Sequence, residues 1–126
     1  MKKYELEFLH CLSLLGVEKP SVLTRATDYM PQIMDFIENM LRQNFAYKSD
    51  DGSVYFSLGA YTKQFKYGKL KPGDPLKSDP SLQKKLVNDF ALWKATKNDW
   101  EPSWNSPWNQ PGRPGWHIEC SAMARY

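Results

Sequence analysis

Cysteine is scarce in this 126-residue chain, which carries only Cys11 and Cys120. Two thiols so far apart make no disulfide framework, and that fits a reducing compartment, with the cytoplasm as the default location. No apolar run approaches membrane-spanning length. Glu5, Glu7 and His10 also interrupt the apolar stretch that a secretory leader would need after Met1-Lys2-Lys3, so no membrane partner is expected. Charge of one sign is lacking too: 17 basic against 14 acidic residues leave +3, far short of the one-sided basic surface of a dedicated nucleic-acid binder. Internal repeats, low-complexity tracts and Gly-rich phosphate loops of the Walker or dinucleotide type are all missing, which removes support for those enzyme classes.

What is present suffices for one domain with a modest core, since 41% of the residues are hydrophobic and 14% aromatic. The periodicities predict an α+β fold. Phe8, Cys11, Leu12 and Leu15 fall at i, i+3, i+4 and i+7, a short amphipathic helix closed by Gly16 with Cys11 in the core. A second helix starts from Thr24 or Thr27 as N-cap and carries the stripe Met30, Ile33, Met34, Ile37, Met40 and Leu41, with Pro31 tolerated in its first turn. Asn44 serves as a left-handed C-cap. Phe45–Lys48 and Ser53–Phe56 then alternate across a glycine-containing turn, a hairpin held by aromatic pairs.

Lys63, Lys66, Lys69, Lys71, Lys77, Lys84 and Lys85, interleaved with Phe65 and Tyr67, resemble a backbone-tracking surface for RNA. Asp74, Asp79 and three prolines favour a solvated loop instead. Asp89–Lys94 reads as a strand with Phe90 and Leu92 on one side and Ala91 and Trp93 on the other. Trp100, Trp104 and Trp108 recur every four residues, but Pro102 and Pro107 forbid a continuous helix, so these indoles are expected to pin a loop against the sheet.

The richest chemistry lies in Gly112-Arg113-Pro114-Gly115-Trp116-His117-Ile118-Glu119-Cys120-Ser121-Ala122-Met123. If Pro114-Gly115 opens a helix, Trp116, Cys120 and Met123 share one face as a pocket wall with a sulfur donor, and the free N–H groups ahead of it suit an anion. The same pattern also reads as an amphipathic turn whose Trp, Cys and Met are core. His117 and Cys120 offer two donors where stable zinc needs three or four. Arg113 is a phosphate contact, half of a salt bridge or simply solvent-exposed.

This run closely resembles the cysteinyl-tRNA synthetases, together with Asp89-Phe90-Ala91-Leu92-Trp93-Lys94 and Pro102-Ser103-Trp104…Ser106-Pro107-Trp108 before it. Leu23–Tyr29, Gly52–Phe56 and Tyr67–Leu70 extend the likeness upstream to nearly the whole chain, while Thr96–Glu101 and Trp108–Gly112 depart from it in length. The resemblance implies a piece of a class I Rossmann-type catalytic domain: residues 1–20 the end of its first half, 21–112 the connective insertion, and 113–126 the start of its second half. It implies ATP with magnesium, cysteine and tRNA(Cys) as substrates and partners, and one zinc bound in part by Cys120, with Trp116 bordering the cysteine pocket. The family's other zinc ligands, and its His-Ile-Gly-His and Lys-Met-Ser-Lys-Ser type motifs, do not occur among these residues, and His117 is not the family's ligand histidine. The chain by itself is therefore expected to be catalytically silent, with exposed apolar surface available for self-association. A free-standing tRNA-binding module and a piece of a related cysteine:amine ligase are the alternatives.

Overall fold

The second predicted helix builds the core. In the computed structural model, which describes residues 2–68, 84–108 and 110–125, it runs Met30–Arg42 (α2) and buries Met30, Ile33 and Ile37, with Met34, Met40 and Leu41 packed beside them. Each fully buried isoleucine contributes about 1.5–3 kcal/mol. The start differs from expectation. Tyr29, not Thr24 or Thr27, occupies the N-cap, and it offers no side-chain bond. Thr27 is absorbed in a single 3-10 turn, Ala26–Asp28. Pro31 sits in the first turn, where its missing N–H has no intrahelical partner. At the other end Asn44 adopts φ 61° and Phe45 N–H bonds Met40 O at 2.9 Å, a left-handed stop of the kind expected.

From that stop the chain enters a four-stranded antiparallel sheet in sequence order: β1 (Ala46–Lys48), β2 (Val54–Phe56), β3 (Phe90–Ala95) and β4 (Gly112–Pro114). The predicted hairpin is β1–β2, with Tyr47 opposite Tyr55, their rings stacked 5.9 Å apart, and Gly52 at φ 83° in the turn. Between β2 and β3 the pairing jumps from Val54↔Trp93 to Tyr55↔Ala91, which leaves Leu92 as an extra residue. This bulge breaks the expected alternation: Leu92 and Trp93 are consecutive yet both fully buried.

Helix α1 (Lys2–Leu14) forms as the sequence predicts, but its apolar side is not core. Cys11 is exposed, and Phe8 and Leu15 are 61% and 79% exposed. Amphipathic spacing specifies a helix face without specifying what covers it. A charged contact ties the helix to the connection leading into α2, with Arg25 Nε 2.9 Å from one Glu5 carboxylate oxygen. Of the Lys63–Lys85 segment, Lys69, Lys71 and Lys77 lie outside the described residues. Phe65 and Tyr67 join Tyr61 and Phe45 in an aromatic cluster, and Lys85 lies 4.6 Å over the Tyr47 ring.

The tryptophan loop between β3 and β4 is pinned as expected at two indoles of three. Trp108 is buried with its ring edge-on to Trp93 at 5.3 Å, and Trp104 bridges to Gly112 through bonds of 2.8 and 3.0 Å. Trp100 is 81% exposed and pins nothing.

Candidate functional site

The C-terminal run divides into a strand, a tight turn and a helix. Gly112–Pro114 pairs with Trp93–Ala95 as β4, and Gly115 N–H continues that contact by bonding Leu92 O at 2.7 Å. A Cβ on Gly115 would stand 1.8 Å from Ala91 O, so only glycine lets the two backbones meet. Because Gly115 is spent on the sheet, the helix begins three residues later. Ile118 N–H reaches back to Gly115 O at 3.3 Å, and α4 runs Ile118–Arg125.

That delay changes which residues share a face. Trp116 lies in the turn and not on the helix, so the expected alignment of Trp116, Cys120 and Met123 does not form. The core alternative fails for the same residues: Trp116 is 84% exposed and Cys120 is exposed, while Met123 is half-buried. The buried positions of α4 are Ile118 and Ala122, four apart, packed into the same core as α2. Arg125 adds a cationic cap 5.4 Å over Phe36. His117 stands edge-on to Phe90 at 5.2 Å, and Phe90 stacks on Phe56 at 5.0 Å. An indole and a thiol therefore project from a turn and a helix anchored in the core by Ile118 and Ala122.

Glu119 is half-buried in the first turn of α4, and burial holds its carboxyl above the usual carboxylate range. Arg113 resolves as a salt bridge: its Nη1 donates to Glu101 Oε2 at 2.6 Å, and this partner holds the Glu101 carboxyl below its ordinary value.

One structural carboxylate beneath the site escaped the sequence reading. Asp89 is 2% exposed and accepts three bonds: from Tyr47 Oη at 2.7 Å, from Leu58 N–H at 2.9 Å and from Leu86 N–H at 3.1 Å. Leu58 is the first residue of the short helix Leu58–Tyr61 (α3). A single acid directly before an apolar strand was the available signal. Burial pushes the Tyr47 hydroxyl well above its ordinary range. Asp89 fixes the start of β3, and through β3 the floor on which Gly115 rests.

The family described as "tRNA synthetases class I (C) catalytic domain" matches residues 1–126. The chain belongs to that family. It is 46% identical to a cytoplasmic cysteine–tRNA ligase of Dictyostelium discoideum across 98% of this chain and 20% of that protein. It is 42% identical to the human cytoplasmic cysteine–tRNA ligase over 98% of this chain and 18% of that one. A relative in Xenopus tropicalis named as a probable mitochondrial cysteine–tRNA ligase is 41% identical over 98% of this chain and 21% of its own length. The chain thus spans about a fifth of the length of the curated relatives it matches.

The resemblance read from the sequence is borne out, and the architecture of the described residues, four α-helices and a small antiparallel sheet, is of the expected α+β class. Among the described residues no helix is long and apolar enough to cross a membrane. The zinc implied by the family finds one donor here, the exposed Cys120 thiol, and no group of three or more His, Cys, Asp or Glu side chains comes together among the described residues. The described residues therefore do not fit a complete zinc site.

Proposed function

We propose that these residues form part of a cysteine–tRNA ligase, acting in the cytoplasm, that activates cysteine with magnesium-bound ATP and transfers it to tRNA(Cys). In this reading residues 1–20 close the first catalytic half, 21–112 form the connective insertion and 113–126 begin the second half. The observation that carries it is the family match across residues 1–126, beside which an exposed indole, Trp116, and an exposed thiol, Cys120, stand on a turn and helix anchored by Gly115, Ile118 and Ala122. Both groups are exposed, beside side chains buried in the core.

Trp116 borders the cysteine side chain, and Cys120 contributes one thiolate to a zinc completed by residues outside this chain. Cys120 would be one ligand of that metal, and zinc held there would supply a soft Lewis acid that favours a substrate thiolate over a serine hydroxyl. The carboxylate of cysteine attacks the α-phosphate of ATP and releases pyrophosphate. A terminal hydroxyl of the tRNA 3′ end then attacks the carbonyl of the resulting aminoacyl adenylate, forming the ester and releasing AMP. ATP positioning falls to parts of the enzyme beyond these residues, so the 126 residues alone are silent. The exposed apolar side chains of α1, Phe8 and Leu14 among them, are a surface through which the isolated chain self-associates.

The test is cysteine-dependent ATP–pyrophosphate exchange, with zinc content measured in parallel, on a longer protein containing this sequence. Cys120→Ala should lose bound zinc and lower exchange by more than the roughly 10–100-fold typical of losing a ligand's outer partner. Retention of full zinc and full exchange by Cys120→Ala would refute the assignment. Exchange catalysed by the 126 residues alone would refute their silence.

A further inference from the structure

The helix that carries Cys120 is held by different parts of the chain at its two ends. At its start the Gly115 turn rests on β3, and Ile118 N–H reaches Gly115 O at 3.3 Å. Along its length Ile118 and Ala122 enter the core shared with α2. Arg125 follows three residues after Ala122, so Ile118, Ala122 and Arg125 make one stripe at i, i+4 and i+7. The Arg125 guanidinium carbon lies 5.4 Å from the centre of the Phe36 ring on α2, within cation–π reach. Phe36 is itself half-buried against the core.

Cys120 lies on the other side of α4. At about 100° per residue it stands about 200° round the axis from Ile118 and about 160° from Ala122. The direction of its thiol is therefore set by how α4 is rotated against α2. A helix of eight residues is too short to persist without tertiary contacts. Of its two buried side chains one is only a methyl group, which resists rolling weakly. Arg125 meets Phe36 at the end of the helix far from Gly115, where a third point of attachment removes that freedom.

We propose that Phe36 and Arg125 are positioning residues for cysteine binding: their contact fixes the rotation of α4 against α2 and so aims Cys120 and the turn before it. This rests on the placing of Trp116 and Cys120 beside the substrate given above. Neither positioning side chain touches that substrate. Arg125 also lies in the last turn of α4, where a cation gains from the helix dipole. Phe36 has no share in that gain, so agreement between variants at the two positions isolates the ring contact.

The experiment uses a longer protein containing this sequence and follows cysteine-dependent ATP–pyrophosphate exchange in Phe36→Leu, Arg125→Met, the double variant and Phe36→Tyr. Each of the first two should raise KM for cysteine at least about threefold, with kcat and KM for ATP unchanged, the pattern of lost substrate binding. The double variant should be no worse than the stronger single one, because either change removes the same contact. Phe36→Tyr keeps the π face and should match the natural sequence. Melting should shift far less than in Gly115→Ala, whereas a merely structural role lowers Tm and leaves KM alone. A rise in KM of less than threefold in both single variants, while Cys120→Ala abolishes exchange, overturns this proposal and leaves the pocket assignment standing. Effects that multiply in the double variant overturn it too. Full exchange in Cys120→Ala overturns the pocket assignment and this proposal with it.

Discussion

Removing the Asp89 carboxylate should come close to unfolding the chain, although the residue touches no proposed substrate. Asp89→Ala strands three donors that meet at a site 2% exposed: Tyr47 Oη, Leu58 N–H and Leu86 N–H. Each buried donor left without an acceptor costs about 1–3 kcal/mol. Water entering beside the exposed Lys85 and the half-buried Tyr47 recovers some of this. The expected loss is therefore about 3–5 kcal/mol, within the range seen when a buried charged network loses one partner. A domain of this kind has only about 5–15 kcal/mol in total. For a chain of this size one kcal/mol moves Tm by roughly 3–5 °C, so Asp89→Ala should melt about 9–25 °C lower.

Smaller changes to the same network should rank in order. Asp89→Asn keeps one acceptor oxygen but turns an amide N–H₂ toward a donor, for a loss of about 2 kcal/mol. Tyr47→Phe removes one bond to the carboxylate and one acceptor for Lys85 N–H at 2.7 Å, for about 1 kcal/mol. Urea unfolding of Asp89→Ala, Tyr47→Phe and their double variant closes a thermodynamic cycle. Because the residues share a bond, the double should cost less than the sum by at least about 0.5 kcal/mol. An Asp89→Ala loss below about 1 kcal/mol, or strict additivity, would refute the view that this carboxylate holds β3 to the hairpin and α3.

Gly115→Ala should destabilise by about 1–3 kcal/mol or more, since its Cβ meets Ala91 O at 1.8 Å and backbone must move; thermal melting checks this, and an unchanged Tm would refute the contact. Trp116→Ala should leave stability within about 0.5 kcal/mol because the indole is 84% exposed, yet raise KM for cysteine in a longer protein. Equal KM values would remove Trp116 from the pocket. Arg113 lowers the Glu101 carboxyl in the folded chain, so its stabilisation is present above the unfolded carboxylate value and disappears as pH falls through the folded one. Protection from hydrogen exchange at Thr96 and Trp104, relative to intrinsic rates, should fall as pH drops through the lowered Glu101 value in the natural sequence and show no such step in Glu101→Gln. Glu119 is shifted upward, the opposite sign: the folded chain favours its protonated form, so stability is lost as pH rises through the raised value. Glu119→Gln should therefore gain Tm at neutral pH and not at acid pH, modestly, because a carboxylate in the first turn of α4 also gains from the helix dipole.

What was legible in the sequence was whatever depended on neighbours a few residues away. The stripe of α2, the left-handed stop at Asn44 and the Tyr47–Tyr55 pair all come from local periodicity and turn chemistry. What was not legible depended on distant partners. No local rule says that Leu92 is a bulge, since the extra residue exists only relative to β2. Nor could spacing place Cys11, because a 3.6-residue stripe marks a face and not its cover. Trp116 was misplaced for a like reason. Pro-Gly reads locally as a helix start, but Gly115 N–H is taken by Leu92 O across the sheet, and that single bond postpones the helix until Ile118.

The postponement separates stability from chemistry within one short run. Had the helix opened at Gly115, Trp116 and Cys120 would lie four apart on one face beside Met123, and burying that face would have consumed both groups in the core. Beginning at Ile118, the helix buries Ile118 and Ala122 instead and leaves the indole and thiol outside. Variants at Gly115, Ile118 and Ala122 should accordingly lower Tm before they alter ligand binding. Variants at Trp116 and Cys120 should do the reverse. A run in which both groups of variants lowered Tm alike would mean that the exposed pair is held by contacts outside this turn, and the anchoring role given to Gly115 would have to be abandoned.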